Sequence, residues 1–356
     1  MSKIFLEIDG VDYEGFTDNA VESSLENFSS SFSFSTTQKE TRLGVLVNDL
    51  KLQQKVRVKI DSTVVITGYI EQLDISYSAN SHSISVSGRD VGGDMIDSSM
   101  VPKSYKQRNF EALCNLVLAD NGFSSVLVKN KVGVLTLDPT EIIKIEAGES
   151  VFDFLDRYAK KLQVLLKIDA SGNLNILRED DEVVKNLLIN DGTQSTNILA
   201  AQLNLSTQDR FNSIQVFSQA DNSTHTKTGI SQKGAAQDGV IRKTRRKILS
   251  MDTASQNASL KTLAEWNVNL RRAKGSRYSC KVIGFYSSNK TLWQPNKLVD
   301  IIDNTCQIQG TFLIQGVKFD QSLSGSFTTL EIVESGAFGL GAIKKSGFAD
   351  QLILSN

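Results

Sequence analysis

The chain is nearly without histidine: His82 and His225 are the only two in 356 residues. A histidine-rich metal site is thereby excluded, and a relay built on a histidine base is disfavoured. The three cysteines, Cys114, Cys280 and Cys306, lie far apart and form no CxxC pair. They read as small buried hydrophobes of a reducing compartment, not as a zinc site or a disulfide frame. No run of about 18 apolar residues occurs, so no membrane insertion of its own is expected. The opening MSKIFLEIDG alternates like a strand, and no signal peptide is evident. Neither sign of charge is in excess, with 39 Lys+Arg against 40 Asp+Glu, so bulk charge supplies no field for nucleic acid or an anionic surface. Aromatics make up only 7%, which argues against a sugar-binding platform. GxSxG, HExxH and deaminase spacings are missing, so enzymatic turnover and a cofactor are not expected.

What is present is mostly β. KIFLEI, SFSFS, VRVKI, TVVITGYI, LDISYS and SISVS follow the two-residue period of half-buried strands over residues 3–90. Their spacing suggests a small barrel or sandwich. From residue 91 the period becomes helical. NFEALCNLVLADNGF (109–123) has Asn109 as N-cap and Gly122 past its end. ESVFDFLDRYAKKLQV (149–164) starts with Ser150 and Asp153 as a capping box in its Asp variant, and puts Val151, Phe154, Leu155, Tyr158, Ala159 and Leu162 on one face. Residues 164–178 predict a hairpin turning through Asp169–Asn173, with Gly172 supplying positive φ. Strands return with AAQLNLS, FNSIQVFSQ, RYSCKVIGF and LVDIID; a polar loop is expected over 219–239 and a helix over 258–275.

A repeat links the two ends. GYIEQLDISY (68–77) aligns with FLIQGVKFDQ (312–321), pairing Ile70 with Ile314, Leu73 with Val317 and Ile75 with Phe319. The resulting fold class is mainly β with an α+β insertion: a β domain, barrel or sandwich, over 1–90, a small α+β domain over 91–195, a second, related β domain over 196–334 carrying the long polar loop and helix, and a flexible tail over 335–356.

Four stretches invite a functional reading. In SISVSGRDVGGDMID (83–97) the glycines fit neither GxxxxGK[ST] nor GxGxxG, and Asp90 and Asp94 would repel a phosphate. A structural corner is preferred, with Asp90 capping a short helix from near Val91 and Arg89 pairing with Asp90, Asp94 or Asp97. In RKTRRK the basic Arg242, Lys243, Arg245, Arg246 and Lys247 could track phosphates. With no interleaved aromatics the segment reads instead as a charged strand facing solvent or a subunit. The acids Glu179, Asp180 and Asp181 form a polar turn. Leu352, Ile353 and Leu354 end a glycine-rich tail, which docks either on a partner, by strand addition, or back on its own barrel.

Several segments together resemble the baseplate hub proteins of Mu-like contractile phage tails. They are ITGYI (66–70), SVSGRDVGGDMID (85–97), the helix and hairpin ESVFDFLDRYAKKLQVLLKIDASGNLNIL, and LWQPNKLVDI (292–301). The resemblance implies two tube-type β-barrels joined through further domains, as in type VI secretion spike proteins, and a homotrimer of pseudo-six-fold symmetry. Its partners would be itself, the tail tube or distal tube protein, the central spike and other baseplate proteins, with no specific nucleic-acid sequence. The Gly-Arg-Asp corner would be where the first barrel passes to the middle domain. The implied place is the virion baseplate, after assembly in the host cytoplasm. The competing class is a tail-associated cell-wall hydrolase, for which no carboxylate constellation stands out.

Overall fold

A computed structural model describes residues 2–38, 50–78, 82–137, 143–180, 182–193, 196–219, 230–251 and 260–339. The first unit holds β1 (Ile4–Ile8), β2 (Val11–Tyr13), β3 (Asp18–Ser24), β4 (Ser31–Gln38), β5 (Lys55–Ile60), β6 (Thr63–Tyr77) and β7 (His82–Asp90). Alternation decides which face turns inward. In KVRVKI the buried residues are Val56, Val58 and Ile60.

The middle segment packs α1 (Gly92–Asp97) and α2 (Phe110–Asp120) with a three-stranded sheet and α3 (Val151–Leu162). The sheet order is β8 (Val128–Asn130), β10 (Leu174–Leu177), β9 (Leu165–Ile168). All six residues expected on the inner face of α3 are buried. Ser150 Oγ accepts from the Asp153 N–H at 3.0 Å. Its hydroxyl donates back to the Asp153 carboxylate at 2.8 Å, the side-chain form of a reciprocal cap. The β9–β10 hairpin turns as expected, with Gly172 at φ 82° and Asp169 Oδ1 accepting from the Ser171 and Asn173 N–H groups.

The second unit holds β11 (Val183–Asn190), β12 (Ile198–Leu205), β13 (Ser213–Gln219), β14 (Ile230–Gln237), β15 (Arg246–Met251), α4 (Leu260–Lys274), β16 (Ser276–Ile283), β17 (Lys297–Asp303), β18 (Ile308–Ser322) and β19 (Gly325–Glu334). β11 pairs in parallel with β17, although its sequence texture groups it with the middle segment. β13, β14 and β15 form a separate sheet in the order β14-β13-β15, covered by α4 through Val216, Leu260, Leu263 and Ala264. The polar loop expected over 219–239 therefore contains a strand. ISQKGAAQ has no apolar alternation to announce it, and it is held by backbone bonds to β13.

The repeat extends to strand order and register. The first unit runs β3-β4-β7-β6-β5 and the second β12-β16-β19-β18-β17. The β6–β7 ladder pairs Gly68 with Asp90 and Ile70 with Gly88, slips past Glu71, and resumes with Gln72 opposite Ser87. The β18–β19 ladder pairs Phe312 with Glu334 and Ile314 with Ile332, slips past Gln315, and resumes with Gly316 opposite Glu331. One offset of 244 carries every pair of the first ladder, bulge included, onto the second. The units differ at their flanks: β1 lies antiparallel to β5, whereas β11 is parallel to β17.

The two units share one ladder. β18 pairs with β3 from Gly316 opposite Ser24 to Gln321 opposite Asn19, burying Val317, Phe319 and Val21. Lys318 stands opposite Glu22 there, an opposite-charge cross-strand pair. A single hydrophobic core runs through both units, from Leu6, Phe34 and Ile66 to Tyr278, Ile314 and Leu330. Among the described residues the ladder is an open path ending at β2 and at β12.

The expected flexible tail does not start at 335. Ala337 and Phe338 are buried against Leu25, Leu177, Leu313 and Val333. The Glu179 carboxylate accepts from the Gly336 and Phe338 N–H groups at 2.5 and 3.2 Å. Two apolar side chains and one carboxylate thus fix the first five residues.

Candidate functional site

The Gly-Arg-Asp corner sits where β7 passes to α1. Asp90 is the last residue of β7 and is 3% exposed. Its Oδ1 accepts from Ser29 Oγ at 2.7 Å and from the Gly92 N–H at 2.9 Å. Its Oδ2 accepts from the Ser30 N–H at 2.7 Å. The carboxylate therefore accepts from the first helical N–H, although Asp90 itself lies one residue before the N-cap position. It also ties the approach to β4 onto the end of β7, which the sequence did not announce. The helix starts at Gly92, one residue later than expected, with Val91 in the N-cap position and making no side-chain cap bond. The glycines allow close packing: a Cβ at Gly92 would fall 2.8 Å from Asp90 Oδ1 and 2.9 Å from Ile168 Cγ1, and one at Gly93 would fall 2.9 Å from Arg89 Nε.

Arg89 finds a partner that sequence reasoning missed. Its guanidinium donates to both Glu71 oxygens, Nε to Oε2 and Nη2 to Oε1, each at 2.8 Å. It also donates to Asp97 at 2.5 Å. Glu71 is the residue that the β6–β7 register skips. A bulge re-aims its side chain out of the alternation, and no local signal in the sequence marks that. Asp90 is not an Arg89 partner. Asp94 is exposed on the first turn of α1, where desolvation, with Glu71 nearby, raises its carboxyl above the ordinary range.

Lys167 of β9 reaches beneath this corner and donates to the Asn27 carbonyl at 2.7 Å. Thr67 donates to the Ala170 carbonyl at 2.7 Å, and Phe28 stacks on Phe152 with centroids 4.4 Å apart. These contacts hold the middle segment to the first unit. Burial raises the Asp90 carboxyl above its usual value against the pull of its donors, and pushes Lys167 down to about 8. In the unfolded chain the amine holds its proton to near 10.5. Between those values the unfolded chain carries the extra proton, so stability rises with pH. Relative to Lys167→Met, the natural chain should gain on the order of 1–2 kcal/mol between about pH 8 and pH 10 in urea titrations. Parallel pH profiles for the two proteins would show that the buried amine stays charged.

The basic run is not the continuous strand expected. Arg242–Arg245 form a turn closed by the Arg245 N–H to the Arg242 carbonyl at 3.1 Å, and the strand begins at Arg246. Arg245 is structural: it donates to the Thr207 carbonyl at 2.5 Å and to that of Gln208. It also lies over the Phe211 ring, which Lys247 and Arg271 share at 5.6 and 5.2 Å. Long-range folding brings that aromatic under the cations, so the local sequence could not reveal it. Arg242, Lys243, Arg246 and Lys247 are exposed. Leu352, Ile353 and Leu354 lie outside the described residues, as does Asp181. Glu179 is spent on residues 336–338, and Asp180 accepts from Lys297 at 2.6 Å. Among the described residues no group of three or more His, Cys, Asp or Glu is placed to hold a metal.

The corner, the charged turn and the doubled sheet are joints and surfaces, and comparison with known proteins gives them a setting. Residues 3–90 match the model of the Mu phage baseplate assembly protein GpP-like N-terminal domain. Residues 92–178 match the second domain of baseplate hub protein gp44-like, and 256–341 the fourth domain of Mu phage baseplate assembly protein GpP. Baseplate hub protein gp44 of Escherichia phage Mu is 25% identical over 321 residues, covering 87% of this chain and 82% of its own. The 43 kDa tail protein of prophage MuSo2 from Shewanella oneidensis superposes with a TM-score of 0.80 at 25% identity, over 95% of this chain and 99% of that one. A type VI secretion component, the E. coli c3393 protein, shares the fold at a TM-score of 0.58 and 9% identity, over 95% of this chain and 79% of its own.

Proposed function

The chain belongs to the baseplate hub proteins of Mu-like phages, and from that premise we propose that it is a homotrimeric adaptor. It joins the hexameric tail tube, or a distal tube protein at its end, to the trimeric central spike. The observation that carries this reading is the doubled unit, alike in strand order and in hairpin register. A tube ring repeats six times about its axis and a spike three times. Three copies of a chain holding two like tube-type barrels offer six similar surfaces to the ring while keeping true three-fold symmetry for the spike. Heterologous contacts between copies close such a ring.

The role is mechanical and asks for no turnover. The middle segment is held to the first unit at the Asp90 corner as far as β10, while β11, which the sequence division at 195 grouped with it, pairs with β17 of the second unit. The exposed Arg242, Lys243, Arg246 and Lys247 are proposed contacts to neighbouring baseplate proteins. Assembly is proposed to take place in the host cytoplasm before the particle is complete. Sedimentation of the purified chain should give the mass of three copies. Monomers only, at high concentration and in assembled particles alike, would contradict the adaptor reading, and clearing of peptidoglycan by the purified chain would favour a hydrolase.

A further inference from the structure

The ladder has one junction inside the chain that its own repeat leaves unmatched. Along one edge, β18 pairs with β17 over residues 308–314 and then with β3 over 316–321. Its counterpart β6 pairs with β5 over 63–69 on the equivalent edge, and over 72–77 that edge has no strand among the described residues. The counterpart of β3 is β12, which pairs only with β16 among the described residues. Each chain thus presents one strand and one edge whose internal equivalents are joined.

The registers say how they would meet. Gly88 corresponds to Ile332 in the repeat. Phe32 lies opposite Gly88 and Tyr278 opposite Ile332, so Phe32 corresponds to Tyr278. Val21 lies opposite Phe32 and Leu203 opposite Tyr278, so Val21 corresponds to Leu203. Inside the chain Val21 faces Phe319, and Phe319 corresponds to Ile75. We propose that β12 of one copy adds antiparallel to β6 of the next, with Leu203 opposite Ile75. Resting on the trimer reading above, this contact alternates with the internal β3–β18 junction and closes the ring after three copies.

The side chains fit that register without adjustment. On one face Leu73 meets Leu205, Ile75 meets Leu203 and Tyr77 meets Ala201. On the other, Gln72 meets Ser206, Asp74 meets Asn204 and Ser76 meets Gln202. A shift by one residue in either direction would set Leu73 and Ile75 against polar side chains. Ile75 and Tyr77 are 51% and 82% exposed, whereas Phe319, the counterpart of Ile75, is 5% exposed beneath β3. An uncovered edge with projecting apolar side chains is an aggregation hazard that ring closure removes. Strand addition also satisfies the backbone groups of both edges.

Directly opposed residues in an antiparallel pair bring their Cα atoms to about 4.5–5.5 Å, within disulfide range. The test is therefore Asp74→Cys with Asn204→Cys in the full chain, both at exposed positions, oxidised and run without reductant. Covalent dimers and closed trimers are expected, at roughly tenfold the yield given by Asp74→Cys with Gln202→Cys, whose second cysteine faces the wrong residue. Ile75→Lys should separately convert the trimer to monomers whose thermal midpoint matches that of the natural chain diluted until it dissociates. A trimer by sedimentation that does not cross-link through the first pair, links better through the second, or survives Ile75→Lys intact overturns this contact and leaves the trimer reading standing. A chain that is monomeric at every concentration overturns both.

Discussion

Asp90→Ala is expected to destabilise the chain by roughly 3–5 kcal/mol, because it leaves at least two buried backbone N–H groups without their acceptor, each worth about 1–3 kcal/mol. Those groups belong to Ser30 and Gly92, and Ser29 loses its acceptor as well. A simple N-cap would cost only about 0.5–2 kcal/mol, so the size of the loss separates a cap from a buried clamp. The Coulombic attraction of Asp90 for Lys167 is lost too. Asp90→Asn keeps one acceptor oxygen and should cost about half as much. Urea titrations of the three proteins at one pH decide the matter, and an alanine cost below about 1 kcal/mol would contradict the clamp.

The second large effect lies in the added sheet. Arg210 and Asp238 are 1% and 2% exposed at their side chains. Arg210 Nε donates to Oδ2 at 3.0 Å and Nη2 to Oδ1 at 3.2 Å. Asn212 donates to the Asp238 and Ile241 carbonyls at 3.2 and 2.8 Å, so the pair anchors the turn that carries Arg242 and Lys243. Asp238→Ala strands a buried guanidinium and is expected to cost about 3–5 kcal/mol. Replacing both partners, Arg210→Met with Asp238→Ala, should recover much of that loss, since the unpaired charge is gone. Hydrogen exchange should report the single variant as faster opening in β13–β15 and α4, with β4 and β7 unchanged. Uniform loss of protection across the chain would show that the added sheet is not a separate unit of stability.

Local signals were legible where one element decides its own outcome. The inner face of α3 could be read from spacing because its period fixes which residues share a side. The β9–β10 turn could be read because Asp169 and Gly172 do their work within five residues. The repeat was legible in one ten-residue match, and its register then follows in the structure. What stayed hidden depends on distant pairing. Nothing near Val21 announces Phe319, and nothing near Glu71 announces a bulge that turns it toward Arg89. β14 shows no apolar alternation and exists through its neighbour β13. The turn at Arg242–Arg245 looked like part of a strand because the groups that hold Arg245, the Thr207 and Gln208 carbonyls and the Phe211 ring, lie far back in the sequence. At the corner, the residue types suggested a cap. The burial that makes Asp90 a clamp comes from the approach to β4 and from Lys167 of β9, which only the fold brings together.

The most direct measurement is electron cryomicroscopy of the hub layer in intact tails, reconstructed without imposed symmetry. The account predicts three chains in that layer, with six β units at nearly equal spacing around the axis, first and second units alternating, and β12 of each chain alongside β6 of the next. Six chains in the layer, or three chains whose first and second units lie at unlike radii, would contradict it.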